Sequence, residues 1–92
     1  DESSAIAAMK VAIKQGHKVP ENFSVISFSN GILARHSSPR MTTVSQHGEI
    51  MGATAAEMLI NRLEDKSDNK KKPETIVVKT DLVERNSTKK IL

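Results

Sequence analysis

The stretch SSPRMTTVSQHGEIMG, residues 37–52, joins two unlike kinds of sequence within a few positions. It starts as a polar loop closed by Pro39, and it becomes extended at Thr42–Val44, where three β-branched residues follow one another. From about His47 it continues as a long amphipathic helix. So abrupt a change of pattern indicates a hinge at which the chain passes from one subdomain to another.

The composition of the chain predicts a core that needs a further segment to complete it. The 92 residues suffice for one small domain, only 37% of them are hydrophobic, and Phe23 and Phe28 are the only aromatic residues. The absence of cysteine excludes disulfides and thiolate metal sites. No apolar run approaches the roughly 20 residues of a membrane span, and the net charge of +3 does not by itself indicate a nucleic-acid partner. The sequence opens directly on a helix, and we expect it to be a fragment of a longer protein.

Two segments have the apolar period of a helix. The first covers residues 5–13, with Ser3 or Ser4 as the predicted N-terminal cap and Gly16 as the left-handed stop. The second runs from about His47 to Glu64. Its apolar stripe is predicted to face a core and consists of Met51, Ala55, Met58, Leu59 and Leu63.

Two short segments are almost continuously apolar, FSVISF at residues 23–28 and TIVVK at residues 75–79. This pattern predicts strands that are covered on both faces of a parallel sheet, because a helix, a turn and a strand follow one another as in half of a βαβ unit. Between them, residues 32–36 predict one helical turn, and DLVERNST at residues 81–88 predicts a short extended piece. A sheet with so few strands is rarely free-standing.

Three blocks of the sequence, in order, resemble the C-terminal part of the ligand-binding region of lactose-repressor/galactose-repressor (LacI/GalR) regulators. AIAAMKVAIKQGHKVPENFSVISFSN resembles the family's helix, its G-x-x-V-P-E-D turn and its V-I-G-F-D-N strand end. PRMTTVSQHGEIMGATAAEMLINRL resembles P-x-L-T-T-V-x-Q followed by G-x-x-A-x-x-L-L, and LVERNST resembles L-V-x-R-x-S-T. Periplasmic sugar-binding proteins usually lack the paired threonines and the last block.

The resemblance implies an α/β fold of the periplasmic-binding-protein type, with two parallel-sheet subdomains joined by crossover hinges. Residues 1–44 and 80–92 would belong to one subdomain, and residues 47–78 to the other. The hinge residues would then be Val44, Ser45, Gln46, Thr80 and Asp81. The DNA-binding helix-turn-helix of the family lies outside this chain.

The resemblance also implies an effector site at four residues. Ser29 and Asn30 follow the strand at residues 23–28, and Ser29 replaces the Asp with which family members often bind effector hydroxyls. Asp1 matches a position that contacts effector in some members, and Gln46 lies at the crossover. Each residue also has a purely structural interpretation: a polar turn for Ser29 and Asn30, an acid at a helix start for Asp1, and a hinge backbone contact for Gln46.

The segment that follows this site, GILARHSS, matches part of the family's dimer interface. We expect the interface to contain Leu33, Arg35, His36 and Ser37, because an apolar residue and an arginine in a polar loop are typical of interfaces. The alternative is an ordinary surface loop.

The sequence does not predict an enzyme, a metal site or a cofactor. SFSNG half-resembles a G-x-S-x-G nucleophile elbow around Ser29, but no histidine follows the aspartates downstream of it, so the hydrolase order of serine, acid and histidine cannot be assembled. The three histidines lack metal-ligand spacing. The lysines at residues 70–72 are interpreted as a solvated loop.

Two functions remain open at this point. The first is the effector-sensing, dimerising part of a bacterial transcriptional regulator, cytoplasmic and not membrane-bound. It would respond to a small molecule, a sugar or a derivative, as a homodimer or higher homo-oligomer, and would contact DNA only through the missing N-terminal domain. The second is a solute-binding protein of a transport system. An upstream helix-turn-helix would favour the first, and an upstream signal peptide the second.

Overall fold

A computed structural model describes residues 1–65 and 73–90. These residues fall into two compact units, Asp1–Gln46 together with the chain from Thr80 onward, and His47–Lys79. The elements in chain order are α1 (Glu2–Lys14), β1 (Ile26–Phe28), α2 (Ile32–His36), β2 (Thr42–Ser45), α3 (Gly48–Glu64) and β3 (Asp81–Val83).

Helix α1 begins two or three residues earlier than a cap at Ser3 or Ser4 predicts. Asp1 is the N-cap, and its Oδ1 accepts a hydrogen bond of 2.8 Å from the Ser4 amide, so the expected cap at Ser3 or Ser4 was wrong. A carboxylate is the better cap here because it also interacts favourably with the positive end of the helix dipole. The predicted stop at Gly16 is confirmed: its φ is +90°, and the amides of Gly16 and His17 close the last turn onto carbonyls within the helix.

The three strands form one mixed sheet in the order β1-β2-β3 within the first unit. β1 and β2 are parallel, as predicted, and β3 is antiparallel to β2. In this register one row across the sheet consists of Ser27, Thr43 and Val83, and the next row consists of Phe28, Val44 and Leu82. Because side chains alternate along a strand, the two rows face opposite sides.

The core lies on one side of this sheet. Ser27 and Thr43 are buried, and the buried apolar residues of the first unit are Met9, Ala34 and Met41. On the opposite side Phe28 is 62% exposed and Leu82 55% exposed. The prediction that β1 is covered on both faces was therefore wrong for the described residues, because the helices of this unit supply buried side chains to one face only.

Strand β1 is also shorter than the predicted segment at residues 23–28. The Val25 amide donates to the Ser87 carbonyl, at 2.9 Å, instead of joining the ladder with β2. Phe23 packs edge-to-face on the His17 ring, with the ring centroids 4.9 Å apart. The apolar character at this end of the segment therefore serves local packing beside α1.

In the second unit, α3 confirms the predicted helix, but the predicted strand at residues 75–79 was wrong. Residues 73–80 have no regular secondary structure, and Val77 is 83% exposed. A strand exists only where a neighbouring strand accepts and donates its ladder hydrogen bonds, and none of the described strands pairs with this segment. No residue of α3 is fully buried, and in its predicted core-facing stripe Met51, Leu59 and Leu63 are exposed while Met58 is half-buried.

Two further observations concern the described residues. None of their helices combines the length and apolar character needed to cross a membrane. The predicted solvated loop at residues 70–72 lies outside the residues that the structure describes.

Candidate functional site

The carboxyl ends of the two parallel strands meet at one edge of the sheet. Because Phe28 pairs with Val44 in parallel register, the chain after β1 and the chain after β2 leave the sheet at the same level. Ser29 and Asn30 follow β1, and Gln46 follows β2. Ligands of open parallel sheets bind beyond this edge, which makes it the candidate site of the first unit.

Ser29 has a backbone conformation that L-residues rarely adopt. Its φ is +101°, and its amide donates a hydrogen bond of 3.1 Å to the Val44 carbonyl at the end of β2. A non-glycine residue in such a region costs about 1–3 kcal/mol and persists where the surrounding structure demands it, most often at functional sites. The turn after β1 is thus held in one defined shape by the neighbouring strand.

Asn30 is held by two donors on its carboxamide oxygen. Arg85 Nη2 donates to Oδ1 at 2.5 Å, and Thr43 Oγ1 donates to the same atom at 3.2 Å. A guanidinium group has only donors, so the amide oxygen must be the atom that faces Arg85, and the orientation of the amide is settled. Asn30 Nδ2 has no hydrogen-bond partner among the described residues.

Arg85 belongs to the closing block LVERNST, which sequence reasoning used only as a family motif. The guanidinium also donates from Nη1 to the Met41 carbonyl at 2.7 Å, and the Arg85 amide donates to Thr42 Oγ1 at 2.9 Å. The residue therefore ties β2 to the turn after β1. Because its partners lie more than 40 positions away, no local pattern identifies it.

Ser87, two residues further along, forms a second connection in the same block. The buried Thr42 amide donates to Ser87 Oγ at 2.8 Å, and Ser87 Oγ donates to the Val25 carbonyl at 2.6 Å. One hydroxyl thereby joins the start of β2 to the segment that leads into β1. The block is thus part of the polar core that supports the edge.

The other two predicted effector residues are not joined to this corner by hydrogen bonds. Asp1 is exposed, and its carboxylate caps α1. Its neighbour Glu2 comes closer, since Glu2 Oε2 accepts from the Ala34 amide at 3.2 Å beside Gly31, which has no side chain to obstruct it. Gln46 is exposed just after β2. Their roles in effector binding stay predictions.

The predicted hinge residues lie where the chain passes between the two units. The chain leaves the first unit after Gln46 and returns to it at Thr80. Val44 and Ser45 belong to β2, and Asp81 begins β3, so three of the five hinge residues are strand residues of the first unit. Their hinge role stays a prediction.

Three of the four predicted interface residues line an apolar groove between α1 and α2. The groove encloses about 540 Å³ and includes Leu33, His36 and Ser37 in its lining, but not Arg35. Ile32, also in the lining, is 65% exposed, and Leu33 is 49% exposed. Arg35 instead donates from Nε to the Gly31 carbonyl at 3.3 Å, within its own helical turn.

Metal-binding residues do not cluster in the described part of the chain. No group of three or more His, Asp or Glu side chains there could hold a metal ion. The side chains that hold the turn after β1 are the hydroxyl of Thr43, the amide of Asn30 and the guanidinium of Arg85, which form hydrogen bonds and do not form a set of metal ligands.

Comparisons with known proteins agree with this architecture. The periplasmic binding protein-like domain matches residues 1–88. The HTH-type transcriptional repressor PurR of Yersinia enterocolitica is 41% identical over 83 residues, which are 90% of this chain and 24% of PurR. The chain thus spans about a quarter of the length of such relatives.

Solved structures show the same likeness. The transcriptional regulator CelR in its cellobiose complex has a TM-score of 0.85 and 31% identity, over 95% of this chain and 26% of CelR. A LacI-type transcription regulator from Bifidobacterium animalis has a TM-score of 0.86 and 28% identity, over 97% of this chain and 31% of that regulator. The predicted fold class is confirmed, and the chain belongs to the LacI/GalR family of transcriptional regulators, as a segment of its periplasmic-binding-protein-like domain.

Proposed function

We propose that this chain is part of the effector-sensing region of a bacterial transcriptional regulator, and that the effector binds beyond the carboxyl ends of β1 and β2. The observation that carries the proposal is the turn at Ser29 and Asn30. Its backbone is held by Val44 and its carboxamide by Arg85, which is the pre-organisation that a binding site needs.

A sugar or a sugar derivative is the effector class that we propose. Ser29 offers a hydroxyl with one donor and two acceptors, and Asn30 offers amide donors, which suits a neutral ligand rich in hydroxyl groups. CelR, whose structure holds cellobiose, has the same fold in this region. An Asp at the Ser29 position would add charge-assisted hydrogen bonds, so Ser29 implies a weaker contact at this point than an Asp would make.

The response to effector would follow from the hinges at residues 44–46 and 80–81. A ligand that contacts both subdomains binds their closed arrangement more tightly than the open one and shifts the population towards closure. DNA affinity then changes through the coupling between the two sites. DNA itself would be bound by an N-terminal helix-turn-helix outside these residues, in a cytoplasmic protein.

We further propose that the groove between α1 and α2 is a homodimer interface. Its exposed Ile32 and Leu33 form an apolar centre, and His36 and Ser37 lie at its polar rim, the usual anatomy of an interface. Leu33→Asp should shift the full-length protein towards monomer in sedimentation equilibrium. Val11→Asp, an equally exposed apolar site outside the groove, is the matched control. Equal dimerisation of both variants would contradict this interface.

The regulator function is tested with the full-length protein that carries this chain. Genomic fragments that it retains at physiological salt are sequenced, and the affinity for the recovered site is then measured with and without ribose, cellobiose and a wider sugar panel. We expect specific retention and a change of affinity with at least one sugar. Sugar binding without any specific DNA binding would support the solute-binding alternative instead.

The same assays define what the isolated residues 1–92 can do. We expect them to bind neither sugars nor a specific DNA sequence, because they span only about a quarter of the length of such relatives and nothing in the chain resembles a recognition helix. In the full-length protein, Ser29→Ala should weaken sugar binding. Micromolar sugar binding by residues 1–92 alone would contradict the expectation that the effector site needs residues outside this chain.

A further inference from the structure

The orientation of the Asn30 carboxamide at the sheet edge is determined by the residues that donate to its oxygen. Its oxygen receives Arg85 Nη2 at 2.5 Å and Thr43 Oγ1 at 3.2 Å. A carbonyl oxygen has two lone pairs, so these two donors satisfy it. The two N–H groups on Nδ2 are left without a partner among the described residues.

Arg85 is itself held in place by other residues, so its position determines the orientation of the Asn30 amide. Its Nη1 donates to the Met41 carbonyl at 2.7 Å and lies 3.4 Å from Thr43 Oγ1. Met41 and Thr43 are both fully buried. A rotation of the Asn30 amide by half a turn would place its NH₂ group against a guanidinium that can only donate, which would forfeit the hydrogen bond with Arg85 and bring two donors together.

An arginine at this position would pair more strongly with a carboxylate than with an amide. Arg–carboxylate hydrogen bonds are charge-assisted and shorter, whereas an amide oxygen gives a weaker partner. An aspartate in place of Asn30 would therefore satisfy Arg85 and Thr43 at least as well as the amide does. The amide differs from a carboxylate in having two N–H donors on Nδ2, the atom that does not face Arg85.

We propose that Arg85 and Thr43 are positioning residues that turn Asn30 into an obligate hydrogen-bond donor to the effector, and so select ligands that place an oxygen acceptor opposite Nδ2. The chemical class is one with a hydroxyl, ring or carbonyl oxygen at this point, rather than an N–H donor. The inference rests on the proposed effector site and deepens it, because it assigns the polarity of one contact and the residue that sets it.

The first test replaces Asn30 by aspartate in the full-length protein, which removes the N–H donors but keeps the acceptor for Arg85. Ligands are identified for the unaltered protein by thermal-shift screening of mono- and disaccharides, including ribose and cellobiose, and affinities are measured by calorimetry. We expect Asn30→Asp to melt no lower than the unaltered protein. It should bind the sugar at least about tenfold more weakly, because the ligand acceptor then faces a carboxylate.

The matched control is Asn22→Asp. Asn22 Oδ1 also accepts a hydrogen bond, from the Lys18 amide at 2.8 Å, and the residue is exposed and away from the edge. The same chemical change there should leave sugar affinity unaltered. If Asn30→Asp and Asn22→Asp bind the sugar alike, Asn30 is not a donor to the ligand and the inference is overturned.

The second test asks whether Arg85 acts through Asn30. Arg85→Lys keeps the charge but loses the planar fork, and it should weaken sugar binding several-fold in the otherwise unaltered protein. In an Asn30→Ala background the same Arg85→Lys change should have no further effect on sugar affinity. An equal loss in both backgrounds would mean that Arg85 only stabilises the fold, which overturns its positioning role.

The outcomes separate this inference from the function on which it rests. If no sugar in the panel stabilises the unaltered protein, the proposed effector class fails, and the role of Asn30 fails with it. If a sugar binds but is insensitive to Asn30→Asp, the effector class stands and only the donor role of Asn30 is overturned.

Discussion

Removal of the Ser87 hydroxyl should destabilise the protein far more than removal of an exposed serine hydroxyl. Ser87 is fully buried, accepts a hydrogen bond from the Thr42 amide at 2.8 Å and donates one to the Val25 carbonyl at 2.6 Å. Ser87→Ala leaves both backbone groups without this partner in a site closed to water. An unsatisfied buried group costs about 1–2 kcal/mol, so we expect a loss of about 2–4 kcal/mol in the free energy of unfolding.

The assay is urea or thermal unfolding of the full-length protein, followed by circular dichroism. In a domain of about 150–250 residues each kcal/mol shifts Tm by about 2–4 °C, so Tm should fall by roughly 4–16 °C. Ser24→Ala is the matched control, because Ser24 is exposed and the chemical change is the same. A difference between the two variants smaller than about 0.5 kcal/mol would refute the reasoning, because it would mean that the two backbone groups find other partners.

Other buried or exposed groups of the chain lead to three more predictions. Ser27→Ala should stabilise the full-length protein by about 1 kcal/mol in urea unfolding, because the buried Ser27 Oγ has no hydrogen-bond partner among the described residues; a loss of stability would show that the hydroxyl is satisfied. Gly31→Ala should lower the free energy of unfolding by about 1 kcal/mol, because the added Cβ would displace the Glu2 carboxylate from the Ala34 amide. In a Glu2→Ala background the same substitution should have no effect, and additive effects of the two substitutions would contradict this contact. Isolated residues 1–92 should sediment as an oligomer, because α3 leaves Leu59 58% and Leu63 75% exposed; a monodisperse monomer with a cooperative melt would contradict the two-subdomain interpretation.

The elements that local chemistry determines were predictable from the sequence. The stop of α1 needs a residue that accepts positive φ, and Gly16 supplies it at +90°. The extended segment at Thr42–Val44 and the helix that follows it were predictable from β-branching in the first case and from an apolar period of about 3.6 residues in the second. The fold class followed from the resemblance of three sequence blocks to the LacI/GalR family.

Elements that depend on distant partners were not predictable in this way. TIVVK has the composition of a strand, yet it is irregular here, because composition cannot supply the neighbouring strand that a ladder requires. The stripe of α3 has the period of a buried face, yet no described residue buries it. Periodicity shows which face of an element is apolar, but only the tertiary structure decides whether anything packs on it.

The candidate site was likewise predictable from the sequence only in part. The sequence alone determined that polar residues follow β1 at Ser29 and Asn30, where parallel sheets bind ligands. Only the tertiary structure decided that the amide oxygen of Asn30 accepts hydrogen bonds from Arg85 and Thr43, because Arg85 lies 55 positions further along the chain. A hydrogen bond between residues so far apart depends on the packing of β2 and the closing block, and no local pattern carries that information.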